Sequence, residues 1–476
     1  MNRFEKITPF NGFYEDRNLG HQNNYAWAMG ELGNYIYVGV GKNIVYTVLR
    51  FVFNLPEQYI PEVFIPKPSI NPGAEIWRYN KDGSENWTQV YKSNPQDGIG
   101  DFRYMINFTT TSGKKVLLAA ANSFSSAVKM LMSEDGENWK DVSDGLTEGD
   151  TARAMVEHNG RMYLGVMKGL GGSLETILYE TNEPENGWTR VQIGTGANNP
   201  RGEIASMESF NNHLYIGTAP PGGFEVWRTN RVSPIENDWK LVVDKGAGEA
   251  LNQLPLSMKA FKGDLYVGTG IWFGVFSIDP SQRFVPPKGF DLIRVSSNDT
   301  WKVVIGNEAI SPTNPTTRGI RRPNIPAGLW DISNAYCWQL DVYNNKLYLG
   351  TWDDSILFAT LLKTLIAKFP SIISRLSTSN TEDQASLNID SLDLDYNYAP
   401  LIESLIQSLA TMKGTFGGDL WVSNDGSDWR YISLNGLGNP RNYGLRNLLP
   451  SKNGKLYIGT ANPFEGCEVW VSKWRC

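Results

Sequence analysis

The chain has 476 residues, of which 44 are basic and 50 acidic, so its formal net charge is −6. This balance argues against a general nucleic-acid binder or a binder of anionic membranes, which would need a basic surplus. A charged fraction of 20% and an aromatic fraction of 12% argue against a disordered chain. The N-terminal sequence MNRFEKITPF has no apolar run of the signal-peptide kind, and charged residues interrupt the most apolar stretch. We therefore expect a soluble, cytoplasmic protein without integral membrane association.

Residues that bind metals or act as nucleophile–base pairs are few. Three cysteines without zinc-type spacing and three histidines make a metal site or a Ser-His-Asp triad improbable. No Gly-rich phosphate loop of the Walker type occurs. The segment TTRGIRRP at 316–323 is locally basic, which is typical of a solvated loop. We expect neither a metal nor a cofactor.

An internal repeat organises the chain. The phrase K-L-Y-x-G-T recurs seven times, and its glycine column reads Gly39, Ala119, Gly165, Gly217, Gly268, Gly350 and Gly459. A strand pattern precedes each copy, a strand with an aromatic or apolar centre follows it, and a W-x-x-V phrase ends most units. Four strands of period-2 pattern, repeated radially, indicate a β-propeller blade. The sequence predicts an all-β protein, with residues 1–476 forming a single seven-bladed β-propeller.

The W-x-x-V phrase is missing from the last unit, where the chain stops soon after Trp470. The segment Phe4–Ile7 at the other end of the chain matches that pattern. We therefore expect the N-terminal segment to supply the outer strand of the last blade and to close the ring, which would remove an open seam.

Three insertions fall between the second and third strands of their blades. They are 42–72 in blade 1, 270–288 in blade 5 and 353–415 in blade 6, the last with two predicted amphipathic helices, at 356–369 and 399–412. Loops of this length are usually functional or disordered. All three are apolar and would project from one face, where they could pack together as a lid. The alternative is a dimer contact or a small satellite core.

Two turns carry a recognisable pattern, SEDGENW at Ser133–Trp139 and SNDGSDW at Ser423–Trp429. The aspartate can accept backbone N–H groups of the turn, and the glycine can take a positive φ. These degenerate repeats resemble the Asp-box (BNR) hairpins of sialidase-type propellers. In that family the boxes are structural, so the resemblance implies a propeller architecture and no particular catalytic residue.

One column of the innermost strands contains candidate binding residues. Counted two positions before the methionine column, it reads Trp27, Arg103, Arg153, Ala205, Leu256, Trp338 and Arg446. The three arginines and Trp27 fall in neighbouring blades, where converging guanidinium groups could bind a carboxylate, phosphate or phenolate. The alternative is that the arginines pair with Asp101, Asp150 or Glu203. Close to the same end, we expect three tyrosines to line the mouth: Tyr25, Tyr336 and Tyr443.

These features support three hypotheses of function. The first is a pocket that binds, and transforms, an amphiphilic small molecule with an anionic or phenolic head, with Arg103, Tyr25 and Tyr336 as candidate catalytic residues. In propeller type and apolar site it resembles the cyanobacterial enzymes that alkylate resorcinols or carboxylates with alkyl chlorides, which would imply alkyl transfer. The second is a sialidase-like glycan-binding or glycan-hydrolysing propeller, whose Arg motif Phe102-Arg103-Tyr104-Met105 matches only in part. The third is a non-catalytic protein-interaction scaffold.

Overall fold

The computed structural model describes residues 3–67, 73–123, 127–168, 173–271, 288–368 and 415–473. This part of the chain is mostly β-structure, with 29 strands. Its α-helices are α1 (Arg17–Gln22), α2 (Ile44–Thr47), α3 (Lys245–Gly248) and α4 (Ser355–Lys368). None of the helices in these ranges combines the length and apolar character that crossing a membrane requires.

The strands pair antiparallel in groups of four, which we number along the chain. Group 1 consists of β2 (Asn23–Leu32), β3 (Tyr35–Lys42), β4 (Glu75–Asn80) and β5 (Thr88–Lys92), and group 2 consists of β6 (Ile99–Thr109), β7 (Lys115–Ser123), β8 (Lys129–Ser133) and β9 (Lys140–Asp141). Group 3 consists of β10 (Thr151–His158), β11 (Arg161–Met167), β12 (Ile177–Thr181) and β13 (Thr189–Arg190). Group 4 consists of β14 (Ile204–Phe210), β15 (His213–Thr218), β16 (Glu225–Thr229) and β17 (Trp239–Val243).

The remaining groups continue this pattern, and the last one takes a strand from the N-terminus. Group 5 consists of β18 (Leu254–Phe261), β19 (Asp264–Gly270), β20 (Leu292–Ser296) and β21 (Trp301–Ile305). Group 6 consists of β23 (Asn334–Tyr343), β24 (Lys346–Asp353), β25 (Leu420–Ser423) and β26 (Trp429–Ser433). Group 7 consists of β27 (Gly444–Pro450), β28 (Leu456–Ala461), β29 (Val469–Ser472) and β1 (Phe4–Lys6). A further short strand, β22 (Gly319–Ile320), lies parallel to β21.

Groups 2, 3 and 4 are separate four-stranded sheets, whereas the other groups join into one sheet of 17 strands. Within the large sheet, neighbouring groups are joined by single residue pairs between the innermost strand of one group and the second strand of the other. These pairs are Tyr25 with Ala461, Gly270 with Tyr336, and Trp352 with Gly444.

The glycine column of the repeated phrase has a packing reason. A Cβ atom at Gly39 would lie 2.4 Å from the Cβ of Phe102, and one at Gly268 would lie 2.2 Å from the Sγ of Cys337. In both cases the obstructing residue belongs to the innermost strand of the next group. Glycine is therefore needed where one group packs directly against its neighbour.

Every innermost strand has a β-bulge at the same position. In group 2, for example, the pairing with β7 passes from Phe102 to Tyr104 and leaves Arg103 unpaired. The residues at these bulges are Trp27, Arg103, Arg153, Ala205, Leu256, Trp338 and Arg446. They are the column that the sequence comparison aligned. A bulge redirects a side chain and increases the local twist. The side chains of this column therefore do not follow the regular alternation between the two faces of the sheet.

A buried hydrogen-bonded unit, which we call the asparagine latch, recurs in groups 1, 5, 6 and 7. In group 7, the Asn442 side-chain amide donates to Glu468 at 2.7 Å and to the Gly436 carbonyl at 2.9 Å. Trp470 Nε1 donates to the same carboxylate at 2.9 Å. The equivalent asparagine and carboxylate pairs are Asn23 with Glu75, Asn252 with Asp291, and Asn334 with Asp419.

The latch connects three places in the chain. Its asparagine lies at or just before the start of the innermost strand, and its carboxylate lies at or just before the start of the third strand. The carbonyl that accepts from the asparagine lies in the connection from the previous group. In group 7 that connection has Gly436 and Leu437 with φ of 61° and 63°, a region in which leucine is unfavourable. Leu437 is nevertheless almost fully buried. Since a buried polar group without partners costs roughly 1–3 kcal/mol, we infer that the latch fixes this end of groups 1, 5, 6 and 7.

The two Asp-box-like turns have the local geometry expected of them. Asp135 accepts the backbone N–H groups of Glu137 and Asn138, each at 2.8 Å, and Gly136 has a φ of 77°. Asp425 accepts in the same way from Ser427 and Asp428.

The long connections lie between the second and third strands of groups 1, 5 and 6. The first contains α2 and a π-helix at Val48–Val52. The first helix predicted in the third insertion, at 356–369, is observed as α4. The second predicted helix, at 399–412, and most of 270–288 lie outside the described residues.

We predict that deleting residues 1–8 lowers the free energy of unfolding by several kcal/mol, because β29 would lose its antiparallel partner. Phe4 is almost fully buried and pairs with Ser472. Urea unfolding of the truncated and full-length proteins measures the difference. Deleting residues 1–2 is the matched control, since it leaves β1 intact. Equal stability of the two truncated proteins would refute a structural role for β1.

Candidate functional site

A cavity of about 660 Å³ lies where the innermost strands begin. Its wall combines three kinds of residue: apolar side chains of the first and third insertions, aromatic side chains of groups 1, 6 and 7, and charged or polar side chains of groups 2 and 3. The cavity therefore has an apolar part and a polar part.

The apolar part is built by both insertions. It is lined by Leu357 of α4 and by seven residues of the first insertion: Ile44, Val45, Thr47, Val48, Leu49, Phe51 and Val52. Leu49 and Leu357 belong to one buried apolar cluster, which also contains Tyr25, Trp27, Tyr336 and Tyr443. The described parts of the two insertions thus pack against each other and against the ends of the innermost strands. The packing of the two insertions against each other places the apolar wall over the cavity.

Five aromatic side chains form a continuous cluster along the cavity. The ring centroids of Tyr336 and Trp352 are 4.2 Å apart, and those of Trp352 and Tyr443 are 5.8 Å apart. Tyr25 lies 5.8 Å from Trp338 and 6.0 Å from Tyr443. Most of these pairs are edge-to-face, the arrangement that aromatic quadrupoles favour. The cluster gives this part of the cavity wall rigid flat faces.

Arg103 and Arg446 lie over aromatic rings. The guanidinium carbon of Arg103 is 4.8 Å from the ring centre of Trp27, and that of Arg446 is 5.5 Å from the ring centre of Trp338. Within the ranges that the structure describes, neither side chain forms an ion pair, and the Nε atom of each is buried without a hydrogen-bond partner. Of the two, Arg103 lines the cavity. Its stacking on Trp27 holds the planar donor group in place.

Arg153, the third arginine of the column, also lines the cavity. Burial lowers its pKa, while Tyr336 and the carboxylate of Glu203 raise it. Burial and the neighbouring positive charge of Arg153 lower the pKa of Arg446 to about 10. The structure thus brings Arg153 and Arg446 within electrostatic reach, and it brings Arg103 and Arg153 to one cavity.

Asp101 and Asp150 are the carboxylates that line the cavity among the described residues. Burial raises the pKa of Asp101 to about 7, although the Lys42 backbone N–H, which donates to it at 2.8 Å, and the charge of Lys42 lower it. Glu203 accepts from the Lys168 backbone N–H at 3.2 Å. The alternative that Asp101 saturates Arg103 does not hold, since the two form no ion pair.

Three further polar atoms at the cavity have no hydrogen-bond partner among the described residues. They are Asn122 Oδ1, Trp352 Nε1 and the Tyr443 hydroxyl. Buried polar groups are paired in the great majority of cases. Together with Arg103 Nε they offer donors and an acceptor to a bound polar group.

Seven of the residues that line the cavity were predicted from the sequence as site residues, and others were not. Tyr25, Trp27, Arg103, Arg153, Tyr336, Trp338 and Tyr443 line the cavity, whereas Arg446 contacts it through Trp338. Trp352 was missed, although it directly follows one copy of the K-L-Y-x-G-T phrase. Asn122 and Ser123 end β7, and no sequence pattern marks them. No group of three or more potential metal ligands was found in the part of the chain that the structure describes.

No protein-family model and no curated protein sequence matches this chain. Among solved structures, it is similar to a GH74 xyloglucanase from Xanthomonas campestris, with a TM-score of 0.46 and 12% identity over 98% of this chain and 53% of that one. The chain thus spans about half of that enzyme's length. It is also similar to YCF48 bound to D1 peptide, with a TM-score of 0.44, 11% identity and coverages of 99% and 97%. The polysaccharide lyase Uly1 gives a TM-score of 0.43, 9% identity and coverages of 98% and 90%. These similarities are too low to transfer an activity.

We predict that Asp101 makes the protein less stable as pH rises. The folded protein keeps the Asp101 proton up to about pH 7, whereas a carboxyl at its ordinary pKa of 3.8 releases it much earlier. The folded state therefore binds more protons in this window, and raising the pH through it favours unfolding. Urea unfolding at pH 5 and pH 8 should show that Asp101→Asn gains stability relative to the wild type at pH 8. A difference that does not change with pH would contradict the raised pKa.

Proposed function

We propose that the seven strand groups form a seven-bladed β-propeller, with β1 as the outer strand of the last blade. Seven consecutive groups of four antiparallel strands support this architecture, as do the seven bulges at one position. The pairing of β1 with β29 supports closure by the N-terminal segment. In this arrangement the seven bulge residues surround a common axis, and the cavity lies at one end of it.

We further propose that the cavity binds an amphiphilic small molecule with an anionic or phenolic head. The observation that carries this proposal is Arg103, a cavity-lining guanidinium that lies over Trp27 and has no ion pair among the described residues. An isolated, partly buried positive charge is costly unless an anion accompanies it. Bidentate hydrogen bonds from arginine suit a carboxylate or a phenolate. Asp101 in its protonated form would not repel such a head.

The ligand's apolar part would contact the insertion residues. Val45, Leu49 and Leu357 offer aliphatic surface there, and the aromatic cluster provides flat faces next to it. Burying one methylene group contributes about 0.8 kcal/mol, so an alkyl chain or an alkylated ring would add affinity in this part. A ligand with both features matches both ends of the cavity.

The enclosing insertions also separate this proposal from the scaffold hypothesis. A non-catalytic scaffold predicts insertions that stand apart and expose their apolar side chains, whereas the described parts of two insertions pack together over a cavity. Alkylation, with Arg103, Tyr25 and Tyr336 as candidate catalytic residues, stays a prediction from the sequence.

A glycan ligand is the second candidate. Aromatic faces next to the Asp101 and Asp150 carboxylates are features that sugar-binding sites also use, and an acidic sugar would place its carboxylate at Arg103. The apolar wall of the insertions has no role in this alternative. Hydrolysis of a fluorogenic sialoside by the protein, abolished by Asp101→Asn, would favour it over the amphiphile.

We predict that decanoate quenches the tryptophan fluorescence of the protein at saturable, submillimolar concentration. Arg103→Gln should weaken binding by roughly 1.5–3 kcal/mol, about 10- to 150-fold, because it removes a charge-assisted hydrogen bond. Arg103→Lys should rescue little of this loss, since lysine lacks the planar donor pair. Hexanoate should bind more weakly than decanoate.

Arg161→Gln is the matched control, because Arg161 pairs with Glu180 away from the cavity. This variant should bind decanoate like the wild type. Decanoate affinity that is unaffected by Arg103→Gln, or equal affinity for the two fatty acids, would refute the amphiphile proposal.

A further inference from the structure

The outer strands of neighbouring groups meet through a repeated ion pair. A positive side chain on the outer strands of one group contacts a carboxylate in the turn of the next group. Between groups 1 and 2, Arg78 contacts Glu137 at 2.5 Å, and between groups 2 and 3, Lys140 contacts Glu185 at 2.9 Å. Each contact joins two groups at their outer edge.

Groups 4 and 5 carry the most complete version of this contact. Arg228 and Lys240 are directly opposite each other on β16 and β17. Asp299, in the turn of group 5, accepts from Arg228 at 2.8 Å and from Lys240 at 2.7 Å. Burial alone would raise the pKa of Asp299, but the hydrogen bonds from both cations lower it. One carboxylate thus offsets part of the repulsion between two like charges that would otherwise destabilise the sheet.

Group 5 repeats the pair of cations without the carboxylate. Arg294 and Lys302 are directly opposite each other on β20 and β21. The residue of group 6 that corresponds to Asp299 is Gly426: each is the third residue after the serine that ends a strand, and each has a positive φ. Both positions also face the tyrosine of the repeated phrase, since Tyr215 donates to Asp299 and a Cβ at Gly426 would meet the hydroxyl of Tyr266.

The neighbouring turn residues do not replace the missing carboxylate. Ser427 stands where the turn of group 2 has Glu137, and Asp425 accepts the N–H groups of its own turn. Arg294 has Asp264 as its nearest carboxylate, at 3.7 Å. Among the described residues, the side chain of Lys302 has no ion pair.

A third cation completes the cluster. Arg318 precedes β22, which pairs in parallel with β21, and its exposed side chain comes from the basic segment found in the sequence. Arg294, Lys302 and Arg318 line one surface pocket of about 380 Å³, together with the Ser296 and Thr300 residues of the turn. Three cations in one pocket repel each other unless an anion lies between them.

We propose that this pocket, at the outer edge of group 5, binds an oxyanion, the phosphate or sulfate group of a ligand, in place of the missing turn carboxylate. Lys302 and Arg318 provide the charge, and Arg294 provides planar donors. This site is separate from the cavity that contains Arg103.

The test is a calorimetric titration of the protein with inorganic phosphate and with inorganic sulfate at low ionic strength, where screening is weak. Lys302→Gln and Arg318→Gln should each weaken binding tenfold or more. Ser427→Glu should abolish it, because it restores a carboxylate where group 2 has one. Lys240→Gln, in the pair of group 4 that Asp299 contacts, should leave affinity unchanged.

The titrations with inorganic phosphate and inorganic sulfate distinguish a site for a phosphate group from a site for a sulfate group. Inorganic phosphate carries two negative charges in most molecules at pH 7.5 and one at pH 5, so a site for phosphate should bind it more weakly at pH 5 and prefer it to sulfate at the higher pH. A site for sulfate should prefer sulfate at both values. No binding of either anion at millimolar concentration, or wild-type affinity of Lys302→Gln and Arg318→Gln, would overturn the proposal.

Discussion

The arrangement of the site depends on one backbone feature, the β-bulge in each innermost strand. Regular pairing would alternate the side chains of these strands between the two faces of each sheet. The bulge adds one unpaired residue at the same place in all seven groups. Through it, Trp27, Arg103, Arg153 and Trp338 reach one cavity, while the residue before each of them is fully buried in the core.

The asparagine latch explains why the aromatic residues are held at the same end. Asn23, Asn334 and Asn442 each lie at or just before the start of an innermost strand. Tyr25, Tyr336 and Tyr443 follow them within two residues. The buried amide–carboxylate bonds fix the start of the strand, and the strand start fixes the tyrosine. Burial raises the pKa of Asp419, the latch carboxyl group of group 6, to about 7, although the hydrogen bonds from Asn334 and Trp421 lower it. Stability and site geometry thus rest on the same contacts.

Much of this arrangement could be predicted from the sequence, and the rest had specific physical causes. The repeat predicted the strand groups, and the column containing Arg103 predicted side chains that the structure brings to the cavity. The bulge itself was not predicted, because one extra residue disturbs a period of two without leaving a pattern of its own. Trp352 joins the site through its cross-strand pairing with Tyr336, and Asp101 joins it by accepting the Lys42 N–H of the neighbouring group. The replacement of Asp299 by Gly426 became meaningful only when the cross-strand pairs were known.

We propose that Arg103 recognises the charged head of a ligand whose apolar part lies under the insertions. The most direct test of this proposal is a thermodynamic cycle that compares decanoate with decanamide, each bound to the wild type and to Arg103→Gln. We expect the carboxylate and the guanidinium to be coupled by at least about 1.5 kcal/mol, with decanamide nearly indifferent to the substitution. Equal losses for the two ligands would give a coupling near zero, and Arg103 would then have no role in recognising the head.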